Sequence, residues 1–114
     1  MKGHLSTHVL DIENGQPAAG LSLELWRITK AERALLKRVV TNADGRTDGS
    51  LLGIAEMQPG EYEIVFQVGA YFGVKPENSF LNEVPVRFNI VDPTEGYHIP
   101  LVVSRWAYNT YRGR

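Results

Sequence analysis

The 114-residue sequence contains no cysteine, no long apolar run and almost no net charge. The absence of cysteine excludes disulfide bonds, thiolate zinc sites, iron–sulfur ligation and cysteine nucleophiles. The sequence has twelve Lys and Arg residues and thirteen Asp and Glu residues. It therefore has no excess of positive charge that would attract it to nucleic acid or to an acidic membrane surface. We therefore expect a fold that depends on packing or assembly, with no nucleic-acid partner and no membrane partner.

Targeting signals are also missing from the sequence. No segment approaches the roughly 20 apolar residues that a membrane span requires. Residues 1–8 lack the apolar stretch of about 7–15 residues that is typical of a secretory signal. Because these signals are missing, we expect the protein in the cytoplasm. Chains of this length most often form one core, so we also expect a single domain over residues 1–114.

Apolar and polar residues alternate along most of the chain, which is the pattern of strands with one buried face. In one such run Leu21, Leu23 and Leu25 alternate with more polar side chains. Turn-forming pairs such as Asn14-Gly15 and Asp44-Gly45 separate the runs. The pattern predicts an all-β, two-sheet sandwich. Its strands are expected within residues 5–11, 21–26, 35–42, 62–68, 84–90, 97–103 and 106–111.

Helix signals are weak. Residues 29–36 contain good helix formers but are few, and residues 75–82 have room for about one or two turns. Neither segment is long enough to cover a sheet. We therefore expect at most one short helix.

Two histidines lie within predicted strands. The alternation places His98 on the face opposite Tyr97 and Ile99, so it should point away from the main core. A strand histidine is most often a hydrogen-bonded structural residue, yet an imidazole is also the best matched base at neutral pH. His4 and His8 have the spacing of metal ligands on a helix, but on a strand they lie about 13 Å apart, too far for one ion to bridge. No metal site is predicted.

Two arginines and a group of aromatic residues could likewise have either a structural or a functional role. Arg46 follows a turn sequence and Arg112 lies near the carboxyl terminus, so both could simply be solvated. A guanidinium group also recognises planar anions through paired hydrogen bonds. Their spacing in the sequence does not show whether these arginines lie near the histidines in the fold. The aromatic residues within residues 106–111 are typical of an interface strand.

Four segments resemble the transthyretin-like 5-hydroxyisourate hydrolases. Residues 5–11 (LSTHVLD), followed by residues 15–18 (GQPA), resemble the opening motif of that family. Residues 41–46 (TNADGR) are similar to its central turn, and residues 97–101 (YHIPL) to its penultimate strand. Residues 108–113 (YNTYRG) resemble its terminal signature, which usually ends in Ser where this chain has Arg114.

The resemblance implies a transthyretin-like sandwich of seven or eight strands. It also implies a homotetramer, a dimer of dimers whose central channel carries the active sites. The implied reaction is the hydrolysis of 5-hydroxyisourate to 2-oxo-4-hydroxy-4-carboxy-5-ureidoimidazoline in urate catabolism, with no cofactor and no metal.

The resemblance also assigns functional positions. His8, Arg46 and His98 correspond to catalytic positions of the family. Tyr111, Arg112 and Gly113 correspond to its substrate-binding positions. The vertebrate hormone carriers of this fold lack the set of two histidines and one arginine. This contrast favours a hydrolase, and a non-catalytic transthyretin-like small-molecule binding protein is the alternative.

Overall fold

A computed structural model describes residues 3–113 as a two-sheet sandwich, and position 114, where the sequence departs from the family signature, lies outside the described residues. One sheet has the strand order β2-β1-β7-β8 and the other β4-β3-β5-β6. The central pair β1 and β7 is parallel, and the other pairs are antiparallel. The all-β, two-sheet prediction is confirmed. The strands are β1 (His4–Asp11), β2 (Gln16–Pro17), β3 (Ser22–Ile28), β4 (Arg33–Val40), β5 (Gly60–Phe66), β6 (Val84–Ile90), β7 (Gly96–Val103) and β8 (Tyr108–Thr110).

The core lies between the two sheets and is formed by the alternate side chains that the sequence pattern predicts. Each fully buried aliphatic or aromatic side chain of this kind contributes about 1.5–3 kcal/mol relative to an exposed one. Because the inward residues of β1 and β7 are anchored in this core, the outward residues of the same two strands have fixed positions. The largest fully buried side chains include Leu5, Val9, Leu21, Leu23, Leu25, Tyr62, Ile64, Phe66, Ile90 and Leu101.

Strand β5 is buried on both faces, although its sequence predicts one polar face. Glu63 points to the outer face and is nevertheless buried, because Arg33 and Arg87 from the strands around it pair with its carboxylate at 2.9 and 3.2 Å. The guanidinium group of Arg33 also stacks on Trp26, with 3.8 Å from its central carbon to the ring centroid. Side chains of the same sheet therefore cover its outer face around Glu63.

The helical segments differ in part from the sequence signals. Residues 33–36 belong to β4, since pairing with β3 outweighs their helix propensity. The only α-helix of the described residues 3–113, α1 (Val68–Tyr71), begins just after β5 and ends the predicted strand 62–68 early. Short 3₁₀ turns occupy Ile54–Glu56 and Pro76–Asn78, the second of them within the predicted 75–82 segment. Within residues 3–113, no helix has the length and apolar character needed to span a membrane.

Candidate active site

The outward face of β1 carries polar side chains next to a buried inward face. Burial alternates residue by residue along the strand, and His4, Ser6 and His8 are on the outward side. The chain is extended here because every second residue packs into the core. Successive outward side chains are therefore spaced by about 6.6 Å along the strand.

The parallel strand β7 brings His98 to the same face. Its register with β1 pairs Ser6 with His98 and His8 with Pro100. Tyr97 and Ile99, the neighbours of His98, are buried. The prediction that His98 points away from the core is thus confirmed.

The turn before Arg46 is built by a side chain and a glycine. The Oδ1 atom of Asn42 accepts hydrogen bonds from the backbone N–H groups of Asp44 at 2.9 Å and Arg46 at 3.2 Å. Gly45 has φ of +75°, and a Cβ atom there would collide with the Val9 carbonyl oxygen. The Val9 N–H donates to the Gly45 carbonyl at 2.8 Å, so the turn is attached to β1. As a result Arg46 forms a backbone bridge with His8.

The imidazole of His8 is oriented by the same turn. Its Nε2 atom lies 2.9 Å from the carbonyl oxygen of Asp44. A carbonyl can only accept, so Nε2 carries the hydrogen and donates it. In the neutral imidazole the Nδ1 atom is therefore the one able to accept a proton.

The His98 imidazole is held between Ser6 and Gly113. Its Nδ1 atom lies 2.9 Å from Ser6 Oγ. The Gly113 N–H donates to the His98 carbonyl at 2.6 Å, and a Cβ atom on Gly113 would lie only 3.0 Å from the ring. Gly113 therefore makes room for this ring.

The pKa of His98 lies below its ordinary value of 6.5. Burial is the main cause, since it disfavours the charged imidazolium. The positive charges of Arg46, His8 and His4 act in the same direction. The ring is therefore neutral at pH 7 and able to accept a proton.

The other two predicted binding residues, Arg112 and Tyr111, follow strand β8. The Nη2 atom of Arg112 donates to Glu95 Oε1 at 3.0 Å and to the Gly96 carbonyl at 3.1 Å. The same guanidinium group lies over the Tyr97 ring, with 4.1 Å from its central carbon to the centroid. Tyr111 is 58% exposed. The structure thus gathers His8, Arg46, His98 and Gly113, with Arg112 fixed at the beginning of β7.

No pattern in the sequence singles out Ser6, which the structure places against His98. Its contact depends on the parallel pairing of β1 with β7, across 92 positions of sequence. An open groove of about 290 Å³ lies beside this contact, and its lining includes His4, Ser6, Arg46, Thr47 and Ser50. Within residues 3–113, no three His, Asp or Glu side chains are grouped so that they could hold a metal ion.

Known proteins of similar sequence and fold belong to one family. A family model described as the HIUase/Transthyretin family matches residues 5–113. The chain is 51% identical to the 5-hydroxyisourate hydrolase of Mesorhizobium japonicum, over 97% of this chain and 92% of that protein. The structure of Klebsiella pneumoniae 5-hydroxyisourate hydrolase superposes with a TM-score of 0.79 at 32% identity, over 97% of this chain and 99% of the other.

A carrier-type structure has a similar fold. Sea bream transthyretin in complex with thyroxine superposes with a TM-score of 0.84, over 96% of this chain and 93% of the other. Its sequence identity is 24%, so this likeness concerns the fold alone.

Proposed function

The chain belongs to the HIUase/Transthyretin family, and we infer that it is an enzyme that hydrolyses 5-hydroxyisourate in urate catabolism. The observation that carries this conclusion is the meeting of His8, Arg46 and His98 on one face of one sheet. Two imidazoles and a guanidinium group are well suited to the hydrolysis of a flat, oxygen-rich anion. Binding alone would not require a neutral imidazole beside a guanidinium group and a second imidazole.

Hydrolysis begins with a water molecule that must lose a proton as it attacks the ring carbonyl. His98 is the residue suited to take this proton, because its lowered pKa keeps it neutral at pH 7. When Nδ1–H of His98 donates to Ser6 Oγ, the Nε2 atom is the proton acceptor. Ser6 in this arrangement fixes the tautomer and the orientation of the ring.

The proton must then reach the ring nitrogen that leaves. The water oxygen forms a bond to the carbonyl carbon, the carbon–nitrogen bond breaks, and the departing nitrogen receives a proton. His8 is held by its Nε2–H bond to Asp44, which leaves Nδ1 for proton exchange. We assign water activation and proton transfer to His98 and His8 jointly.

Arg46 holds the anionic substrate and stabilises the charge that develops on the attacked oxygen. Its turn is fixed by Asn42 and Gly45, so the backbone from which the guanidinium group extends is in place before the substrate binds. Donors that are preorganised in this way are worth roughly 3–4 kcal/mol of transition-state stabilisation in well-studied enzymes.

The terminal segment completes the proposed pocket. Gly113 gives the His98 ring its space, and Arg112 adds a positive charge near Gly96. Tyr111 lies between β8 and these two residues and forms the outer part of the same segment. These three residues bind substrate in this scheme and take no part in proton transfer.

Assembly into a homotetramer, a dimer of dimers, is part of the same hypothesis. Phe80 and Trp106 are 71% and 68% exposed, and their ring centroids lie 6.1 Å apart. A cavity of about 160 Å³ adjoins this pair. Exposed aromatic side chains next to a cavity are typical of protein interfaces. Subunit contacts would cover these aromatic side chains and would enclose the polar face of the β2-β1-β7-β8 sheet.

A direct assay tests the proposed activity. Urate and urate oxidase generate 5-hydroxyisourate in the cuvette, and its ultraviolet absorbance is followed with the protein and with heat-denatured protein as the control. We expect faster decay with the native protein, and the same rate after addition of a chelator. Decay at the control rate, together with saturable binding of thyroxine, would favour the alternative of a non-catalytic small-molecule binding protein. Loss of the activity on chelation would contradict the metal-free mechanism.

The cellular location is a separate expectation. We place the enzyme in the cytoplasm without a membrane partner, and subcellular fractionation followed by immunodetection measures this. Recovery in the membrane fraction would contradict it.

A further inference from the structure

A third imidazole lies on the face that carries the proposed catalytic residues. His4 is the first residue of β1, and it is on the same outward side as Ser6 and His8. It stands about 6.6 Å along the strand from Ser6, and His8 stands at the same distance in the other direction. The catalytic scheme above does not use His4.

The His4 ring leans across Gly96 towards β7. These two residues are paired in the β1–β7 register. A Cβ atom on Gly96 would lie 2.9 Å from Cε1 of His4 and 3.4 Å from its Nδ1. Gly96 does not have a positive φ, so the backbone does not require glycine there. Its role is to leave room for the His4 ring, as Gly113 does for His98.

The position of this ring closes one end of the polar face. His4 and Arg46 line the same groove of about 290 Å³, with Ser6 between them. The carbonyl of Gly96, beneath the His4 ring, accepts a hydrogen bond from Arg112. A flat ligand lying over Ser6 and His98 would therefore meet Arg46 at one end and His4 at the other.

We propose that His4 is a further substrate-binding residue, whose imidazole donates a hydrogen bond to a carbonyl oxygen at the end of the substrate remote from the bond that is cleaved. This inference rests on the proposed hydrolase function. A contact at the remote end is present in both the bound substrate and the transition state. Its loss therefore raises KM and leaves kcat nearly unchanged.

Substitution of His4 gives the first measurement. His4→Ala is expected to raise KM about three- to tenfold, the effect of one lost hydrogen bond, with kcat within about twofold of the native value. His4→Gln retains an N–H donor and should give an intermediate KM. Lys30→Gln, an exposed basic residue in the hairpin between β3 and β4, is the control and should leave both constants unchanged.

Substitution of Gly96 gives a second measurement that alters no titratable group. The methyl group of Gly96→Ala would displace the His4 ring, so this variant should raise KM as His4→Ala does. In the double variant the ring is already absent, and Gly96→Ala should add no further effect. A thermal melt of each variant checks that the fold is intact.

The outcomes separate this inference from the proposed function. If the native protein does not accelerate the decay of 5-hydroxyisourate, both are wrong. If the native protein is active and His4→Ala has the native KM, only the role of His4 is wrong. Additive effects of the two substitutions on KM would likewise overturn it, since Gly96 would then act independently of the His4 ring.

Discussion

His98 has the position and the protonation state that a general base needs. Its outward orientation follows from the alternation in β7, so the sequence alone was enough to predict it. Its contact with Ser6 could not be predicted in that way, because the two residues meet only when distant strands pair in parallel. Arg112 likewise follows the terminal motif in sequence, but Glu95 and Gly96 determine where its guanidinium group lies.

The lowered pKa of His98 predicts the acid side of the pH–rate profile. Burial, and then the charges of Arg46, His8 and His4, hold this pKa below 6.5, and only the neutral ring can accept a proton. We expect kcat/KM, after subtraction of the spontaneous decay, to be constant above pH 7 and to fall with a midpoint below pH 6.5. Measurements of initial rates between pH 5 and 8 check this. A midpoint above 6.5 would contradict the assignment of His98 as the base.

The strands can be predicted from the sequence because one face of each is buried and because turn residues mark their ends. The sequence pattern does not reveal the helix α1. Val68 still fits the apolar alternation of β5, although the strand ends at Phe66 and the helix begins at Val68. The helix is joined to β1 by a hydrogen bond of 2.7 Å from the Tyr71 hydroxyl to Asp11 Oδ2. A contact across 60 positions leaves no periodic signal in the sequence.

This contact between α1 and β1 predicts a pH-dependent contribution to stability. Burial raises the pKa of Asp11, but hydrogen bonds from Asn14 and Tyr71 outweigh it, so the pKa lies below 3.8. The charged carboxylate therefore stabilises the fold above about pH 4, and that contribution is lost as the pH falls through the lowered pKa. Burial, followed by the bond to Asp11, raises the pKa of Tyr71 to about 12, so its hydroxyl remains a donor at neutral pH.

Tyr71→Phe should lower the free energy of unfolding at pH 7 by about 1.5–3 kcal/mol, the value of a hydrogen bond to a charged group. The difference from the native protein should shrink as the pH falls below 4 and through the lowered pKa of Asp11, because the carboxylate is then protonated. Urea unfolding at pH 7 and pH 3 measures both values. Equal stability at pH 7, or a larger difference at pH 3, would show that this bond does not have the assigned role.

At the scale of the whole molecule, described residues 3–113 form a flattened body of 38 × 31 × 20 Å with the proposed site on an open face. The aromatic terminal segment was recognised in the sequence as a candidate interface. Its proximity to Phe80 was not, because Phe80 lies in the loop before β6 and Trp106 in the β7–β8 turn. The proposal of a tetramer comes from the family resemblance, since periodicity carries no information on subunit number.

Assembly is tested by changing the exposed aromatic pair. We expect a tetramer at micromolar concentration in sedimentation equilibrium. Trp106→Glu should yield smaller species, because it places a charge in an apolar contact. Val91→Glu, a charge at another exposed apolar position, is the matched control and should remain tetrameric. A fully active native monomer would contradict the proposed assembly.

We claim that His98 transfers a proton during hydrolysis, and the turnover of His98→Asn measures this. Asparagine keeps a hydrogen-bonding group for Ser6 and removes the titratable one. Measured on 5-hydroxyisourate generated in the cuvette, kcat should fall by roughly 10²-fold or more, while the thermal midpoint moves by only a few degrees. Turnover near the native value would contradict the claim. A large loss of stability with a parallel loss of activity would show that the role of His98 is structural.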